Sequence, residues 1–324
     1  MDAAAVRAAA ARISGRVHRT PVLTSTTLDR AVGAEVLVKN EAVQKTGSFK
    51  ARGALNRLLT LPDEERERGL VAVSAGNHAG ALAWAAAQVG AKATVVMPLG
   101  APAAKVAACR GYGADVVLHG ATTVESFAEC ERLQRERGLT FVHPFDDPEV
   151  VAGQGTTMLE LLEQAGPVDV WVVCVGGGGL ACGSALMLRD ANPACRVVGV
   201  EPEGAAALSA ALAAGEPVPI VPRSVADGLC APFAGPFTLP LLRHLVDEVV
   251  LVSDAEILAA VRFVMERMKV VVEPAGAAAV AAMLGGKAGD LAGRRVGTIL
   301  SGGNVDLGVV APQLPPVGDS WPPS

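Results

Sequence analysis

"VWVVCVGGGGLACGSALML", residues 170–188, contains 19 consecutive uncharged residues, enough by length for a membrane-spanning helix. The four glycines at 176–179 argue against that reading. Each would cost a spanning helix propensity, and the run before them is rich in β-branched residues. The stretch reads instead as a buried strand, a tight glycine turn and a helix. A strand that is apolar on both faces belongs in a parallel sheet covered by helices.

The same alternation extends in both directions. "VAVSAGN" precedes "HAGALAWAAAQVG", "ATVVMP" precedes "APAAKVAACRGYG", and "DVVLHG" precedes "TTVESFAECERLQRERG". Later, "RVVGVEP", "DEVVLVS" and "RRVGTILSGG" each lie beside a helical stretch. The fold class expected is α/β, with parallel or mostly parallel sheets flanked by helices. A chain of 324 residues favours two domains over one. The N-terminal "MDAAAVRAAAARISG" reads as a folded helix with Asp2 as its N-cap and Gly15 as its stop, and the tail "PQLPPVGDSWPPS" reads as disordered.

A net charge of -5 and an aromatic content of 3% give no footing for nucleic acid or an anionic membrane surface. The six cysteines form no C-x-x-C pair and read as buried free thiols of a cytoplasmic protein. His18, His78, His119, His143 and His244 lack metal-ligand spacing, so no metal is expected.

Three strand-to-helix junctions and one lysine carry the chemistry. Backbone N–H groups of the Gly176–Gly179 turn, aimed by the helix that follows, suit a phosphate. Gly176, Gly178 and Ala181 also satisfy G-x-G-x-x-[GA], and Glu201 ends the next strand where a ribose-binding acid would stand, so a nicotinamide dinucleotide competes with a single phosphate. "SAGNHAG", residues 74–80, offers Ser74 as a cap and Asn77 as donor or acceptor, beside N–H groups fit for a carboxylate. "SGGN", residues 301–304, sets Ser301 at a strand's C-terminal end, where open α/β sheets bind ligands. In "KTGSFKARGA", residues 45–54, the pattern predicts a helix beginning near Phe49 with Lys50 in its first turn. There the macrodipole disfavours a cation and pushes the lysine towards its neutral, nucleophilic amine.

In this order and separation, these motifs resemble the pyridoxal-phosphate enzymes of fold type II, within them the threonine/serine dehydratase and serine racemase group. "HPFDDPEVVAGQGT", "VEP", "ADG" and "VEPAGAAAV" extend the resemblance over nearly the whole chain. It implies a small domain, residues 66–145, inserted into a large one formed by 1–65 and 146–324, with pyridoxal 5'-phosphate in the cleft between them. It implies Lys50 as Schiff-base lysine and base for the substrate's α-proton. Phe49 and Gly228 would flank the cofactor ring, Asn77 would bond its hydroxyl, and Glu273 would be a further cofactor contact. Gly176, Gly177, Gly178, Gly179 and Leu180 would hold the phosphate, and Ser301 would face the pyridine nitrogen. Ser48, Ser74, Ala75, Gly76, Asn77 and His78 would bind the substrate. A hydroxyl at the nitrogen, in place of an aspartate, makes a weaker electron sink and favours loss of a β-substituent over transamination.

The chain departs from the pattern at three positions. Ala75 stands where racemases of the group carry a serine, the second acid/base. Ala207 stands where a second acid would help Glu201 bind a divalent cation, and Gly80 replaces a common glutamine. The expected function is dehydration and deamination of L-threonine or L-serine to the 2-oxo acid and ammonia, by a cytoplasmic homodimer acting on free amino acids. Alternatives are elimination on another β-hydroxy amino acid such as 3-hydroxyaspartate, serine racemisation, an NAD-dependent dehydrogenase, and an inactive cofactor-binding protein.

Overall fold

In a computed structural model, which describes residues 1–121 and 123–316 and, of Thr123 and Val124, the backbone alone, the strands form two sheets. The larger runs in the order β1 (Val22–Leu23), β2 (Glu35–Asn40), β10 (Arg295–Leu300), β7 (Val170–Cys174), β8 (Arg196–Pro202) and β9 (Glu248–Val252). The smaller runs β5 (Asp115–Leu118), β4 (Ala93–Met97), β3 (Leu70–Val73) and β6 (Thr140–Phe141). Every pairing is parallel except β1 with β2.

The opening stretch folds as read: β7 is buried at every residue, and the glycine turn leads into the helix Gly179–Ala191. No helix among the described residues is long and apolar enough to cross a membrane. The N-terminal helix covers Ala3–Ile13, with Asp2 accepting from the Ala5 N–H. All six cysteines are free, and only Cys230 is not fully buried. The last part of the tail, residues 317–324, lies outside the described residues.

The lysine helix, Lys50–Thr60, lies between the two sheet units. Its apolar face, including Ala51, Leu55 and Leu58, shares a core with Leu70, Leu82 and Val95 of the smaller unit. Its other face is tied into the larger unit by charge. The buried Arg52 guanidinium bonds both carboxylate oxygens of Glu41 at 2.8 Å and both of Glu160 at 2.7 and 2.9 Å. Lys39 completes the group, bonding Glu160 and the Thr20 carbonyl at 2.7 Å each and Gln164 at 3.0 Å. Burial pushes the Glu160 carboxyl up, but Arg52 and Lys39 outweigh it and hold the group below its ordinary range.

A second tie sets the lysine's position along the sheet. Phe49 N donates to Ser301 O at 3.1 Å, Gly303 N donates to Gly47 O at 2.9 Å, and Ser48 forms an antiparallel bridge with Gly302. The residues just before Lys50 are thereby registered against the end of β10.

Candidate functional site

The C-terminal ends of β3, β7 and β10 converge on one cavity of about 380 Å³ between the sheet units. Lys50, Phe49, Asn77, Gly176, Gly177, Gly178, Gly179, Leu180, Gly228, Glu273 and Ser301 all line it, as do Ser74, Ala75, Gly76 and His78. Ser48 does not. Its side chain is fully buried behind the wall and its hydroxyl has no hydrogen-bond partner.

Lys50 is the first residue of its helix, whose N-cap is Phe49 with no side-chain cap. Its Nζ donates to the Pro144 carbonyl at 2.7 Å. Burial lowers the ammonium pKa to about 8, against the opposing pull of Cys174 and the Glu273 carboxylate. The shift runs towards the neutral amine that the sequence predicts, and its cause is desolvation.

The glycine turn is shaped by close contact. Gly178 adopts φ 93°, a conformation that side chains disfavour, and the Thr238 hydroxyl bonds Gly177 O at 3.0 Å. A Cβ at Gly177 would fall 2.2 Å from the Phe145 ring, and one at Gly179 would fall 2.8 Å from the Phe145 carbonyl. Only bare backbone fits, which leaves the first-turn N–H groups of Gly179, Leu180 and Ala181 facing the cavity without intrahelical partners. That is an anion cradle at a helix N-terminus.

The "SAGNH" turn differs from expectation in its cap. The helix Asn77–Gln88 is capped by Gly76, and Ser74 Oγ accepts from Gly76 N at 3.1 Å instead of capping the helix itself. Asn77 Nδ2 donates to Glu273 Oε1 at 2.6 Å, and Asn304 Nδ2 donates to Asn77 Oδ1 at 2.9 Å. Burial first, and then the Asp227 charge, raise the Glu273 carboxyl to about 7. His78 donates from Nε2 to Val142 O at 2.9 Å, and burial lowers its pKa to about 3, so the ring is neutral.

Glu201 takes no part in the cavity. Its buried carboxylate accepts from Leu208 N, Ser209 N and Ser209 Oγ at 2.7 to 2.9 Å, at the start of the helix Ala207–Ala214. The acid that a dinucleotide reading required is occupied in capping. Ser301, buried at the end of β10, meets Cys174, whose thiol burial pushes up to about 11.

Several lining groups escaped the sequence reading: Phe145 against the glycine turn, Cys174 beside Ser301, and Phe233. So did the pair Lys105–Asp227, which spans the cleft at 2.5 Å. Phe145, Asp227, Cys174 and Lys105 lie in stretches quoted above, but no spacing within those stretches marks them as lining residues, and Phe233 sits in no quoted stretch.

The residues present fit pyridoxal phosphate: a buried reactive amine, a side-chain-free cradle for its phosphate, and a bare Gly228 facing the cavity. Comparison with known proteins agrees. The family described as "Pyridoxal-phosphate dependent enzyme" matches residues 13–302. The chain is 45% identical over 300 residues to an L-threo-3-hydroxyaspartate ammonia-lyase from a Pseudomonas species, covering 92% of this chain and 94% of that one. It is 43% identical to an L-threonine ammonia-lyase of Thermotoga maritima, covering 91% and 73%. The solved structure of maize serine racemase superposes with TM-score 0.92 at 41% identity, covering 96% of each chain.

Proposed function

Because the chain belongs to the family of pyridoxal-phosphate dependent enzymes of fold type II, and is a lyase with pyridoxal phosphate as its cofactor, we propose that it dehydrates and deaminates β-hydroxy amino acids. L-threonine and L-serine are the substrates, giving 2-oxobutanoate or pyruvate and ammonia. The observation that carries this reading is the placement of Lys50, with its depressed pKa, opposite a cradle of bare glycine backbone in one cavity.

The bound cofactor supplies an electron-withdrawing ring that acidifies the substrate's Cα–H. The chain's own residues do the rest. Lys50, as neutral amine, takes the α-proton. The N–H groups of the 176–180 turn hold the phosphate, and those of the Ser74–His78 turn orient the substrate carboxylate. Phe49 and Gly228 would hold the ring between them. The uncharged Ser301 hydroxyl would serve the ring nitrogen without fixing a proton there, which suits elimination over transamination.

The amine's titration has a direct readout. Protein stripped of cofactor takes up pyridoxal phosphate faster as pH rises, because the neutral form of Lys50 is the one that attacks. The sign follows from the depressed pKa: ammonium predominates below about 8 and free amine above it. Stopped-flow absorbance is expected to place half-maximal rate near pH 8, whereas an ordinary lysine would put it beyond pH 10.

Ala75 sets the outcome between elimination and racemisation. Racemisation must deliver a proton to the face of Cα opposite Lys50, and the methyl of Ala75 at the cavity wall has none to give. With L-serine, pyruvate and ammonia therefore form in large excess over D-serine, and Ala75→Ser raises the racemic share. Chiral chromatography checks this. D-serine appearing faster than pyruvate would refute the assignment.

A further inference from the structure

Aromatic residues are scarce in this chain, yet four of its seven phenylalanines line this cavity: Phe49, Phe127, Phe145 and Phe233. Phe49 stacks beside the reactive amine, whose Nζ lies 5.2 Å from its centroid. Phe145 and Phe233 gather at His143, while Phe127 meets Phe141 at 6.3 Å, which in turn meets His143 at 5.8 Å. His143 and Phe145 meet edge to face at 4.6 Å, as do Phe145 and Phe233 at 5.7 Å, and His143 and Phe233 lie tilted at 6.5 Å. Phe145 and Phe233 belong to none of the apolar core clusters, although Phe145 also closes on the glycine turn; Phe127 packs against a core cluster and lines the cavity as well.

The charges around these rings narrow what they can receive. Among the lining residues the lysines are Lys50 and Lys105, and there is no arginine. Lys105 is already paired with Asp227. His143 Nδ1 accepts from the Phe145 and Asp146 amides, at 3.3 and 2.8 Å, and is therefore unprotonated. His78 is neutral and bonded to a carbonyl. A carboxylate side chain entering here would find its one cation taken by Asp227. A ring would find edges and faces at the spacings that aromatic groups prefer.

We propose that the rings of Phe127, His143, Phe145 and Phe233 form a subsite for an aromatic β-substituent, so that the cavity prefers an aryl β-hydroxy amino acid such as 3-phenylserine to L-threonine. This rests on the dehydratase reading above. The reaction balances as before: the Cα proton and the Cβ hydroxide leave as water, hydrolysis of the C–N bond returns one water and releases ammonia, and phenylpyruvate remains, with no oxidant or reductant.

The test has a kinetic arm and a binding arm, both on the cofactor-loaded enzyme. In the first, kcat/KM for 3-phenylserine is expected to exceed that for L-threonine by at least about tenfold, in the range that extra apolar contact in a pocket provides. Phe233→Ala, and independently Phe127→Ala, lower that selectivity ratio by at least about tenfold. In the second, calorimetry with L-phenylalanine and L-alanine, which lack the β-hydroxyl and do not eliminate, is expected to give tighter binding of L-phenylalanine. Turnover of L-threonine with neither preference overturns the subsite and leaves the dehydratase standing. Preferential binding of L-phenylalanine without oxo acid from either hydroxy amino acid supports the subsite and overturns the dehydratase reading. Equal affinities and no turnover overturn both.

Discussion

Lys50→Ala lowers turnover of L-threonine and L-serine by at least about a thousandfold, the scale of losing a central base or nucleophile. The substitution also abolishes the borohydride-reducible visible absorbance expected of the wild-type protein. The other lysines near the motif are poorly placed to replace it. Lys39 holds its ammonium against Glu160 and the Thr20 carbonyl, and Lys45 does not line the cavity. Lys105 does line it, but is paired with Asp227 across the cleft. Partial recovery with a small primary amine would identify the missing group as the amine itself. A variant that keeps its activity, measured by oxo-acid release, would show that another residue does the chemistry.

Arg52→Met has the largest expected effect on stability, about 3–5 kcal/mol, the cost of leaving buried charge uncompensated. Glu41 is fully buried and both its oxygens face Arg52, while Glu160 would keep only Lys39. Urea unfolding reads the loss as a shift in midpoint. Combining Arg52→Met with Glu41→Gln should recover part of it, because the second change removes the stranded charge. A loss below about 1 kcal/mol would mean the pair is a replaceable spacer. The network also has a pH signature. Since Glu160 is held below its ordinary range, its contribution is complete above the unfolded value of about 4.5 and disappears as pH falls through the lower folded value.

The strands the sequence revealed were those with long apolar runs. β3, β4, β7, β8 and β10 fall within quoted stretches because a strand buried on both faces needs no partner to be recognised, and the partly exposed β5 and β9 were marked by their β-branched runs. β1 and β6 are two residues each, too short for any periodicity, and β2 ends in Lys39 and Asn40, whose polarity is answered only by distant residues such as Glu160. The cavity follows the same division. Lys50, the glycine turn, Asn77 and Ser301 were legible because each sits at a junction where backbone geometry constrains the residue type. Phe145, Phe233 and the Lys105–Asp227 pair were not, since what brings them together is the closing of two sheets on each other and no local pattern encodes it. Glu201 left a dinucleotide reading open for a related reason: an acid at a strand end looks alike whether it binds a ligand or caps the next helix.

The pairing of β2 with β10 bears on how the chain is made. β2 cannot pair with β10 until Arg295–Leu300 exists, because those residues pair with Glu35–Asn40, and the bridge from Ser48 to Gly302 waits on the segment that follows. At ~5–20 residues per second on the ribosome, β2 spends on the order of tens of seconds without its neighbour. The smaller sheet, whose strands all lie between Leu70 and Phe141, has its partners available much sooner. On nascent chains the edge of β2 that later meets β10 is therefore bare while the strands of the smaller sheet already have their partners, the stage at which a chaperone has most to protect.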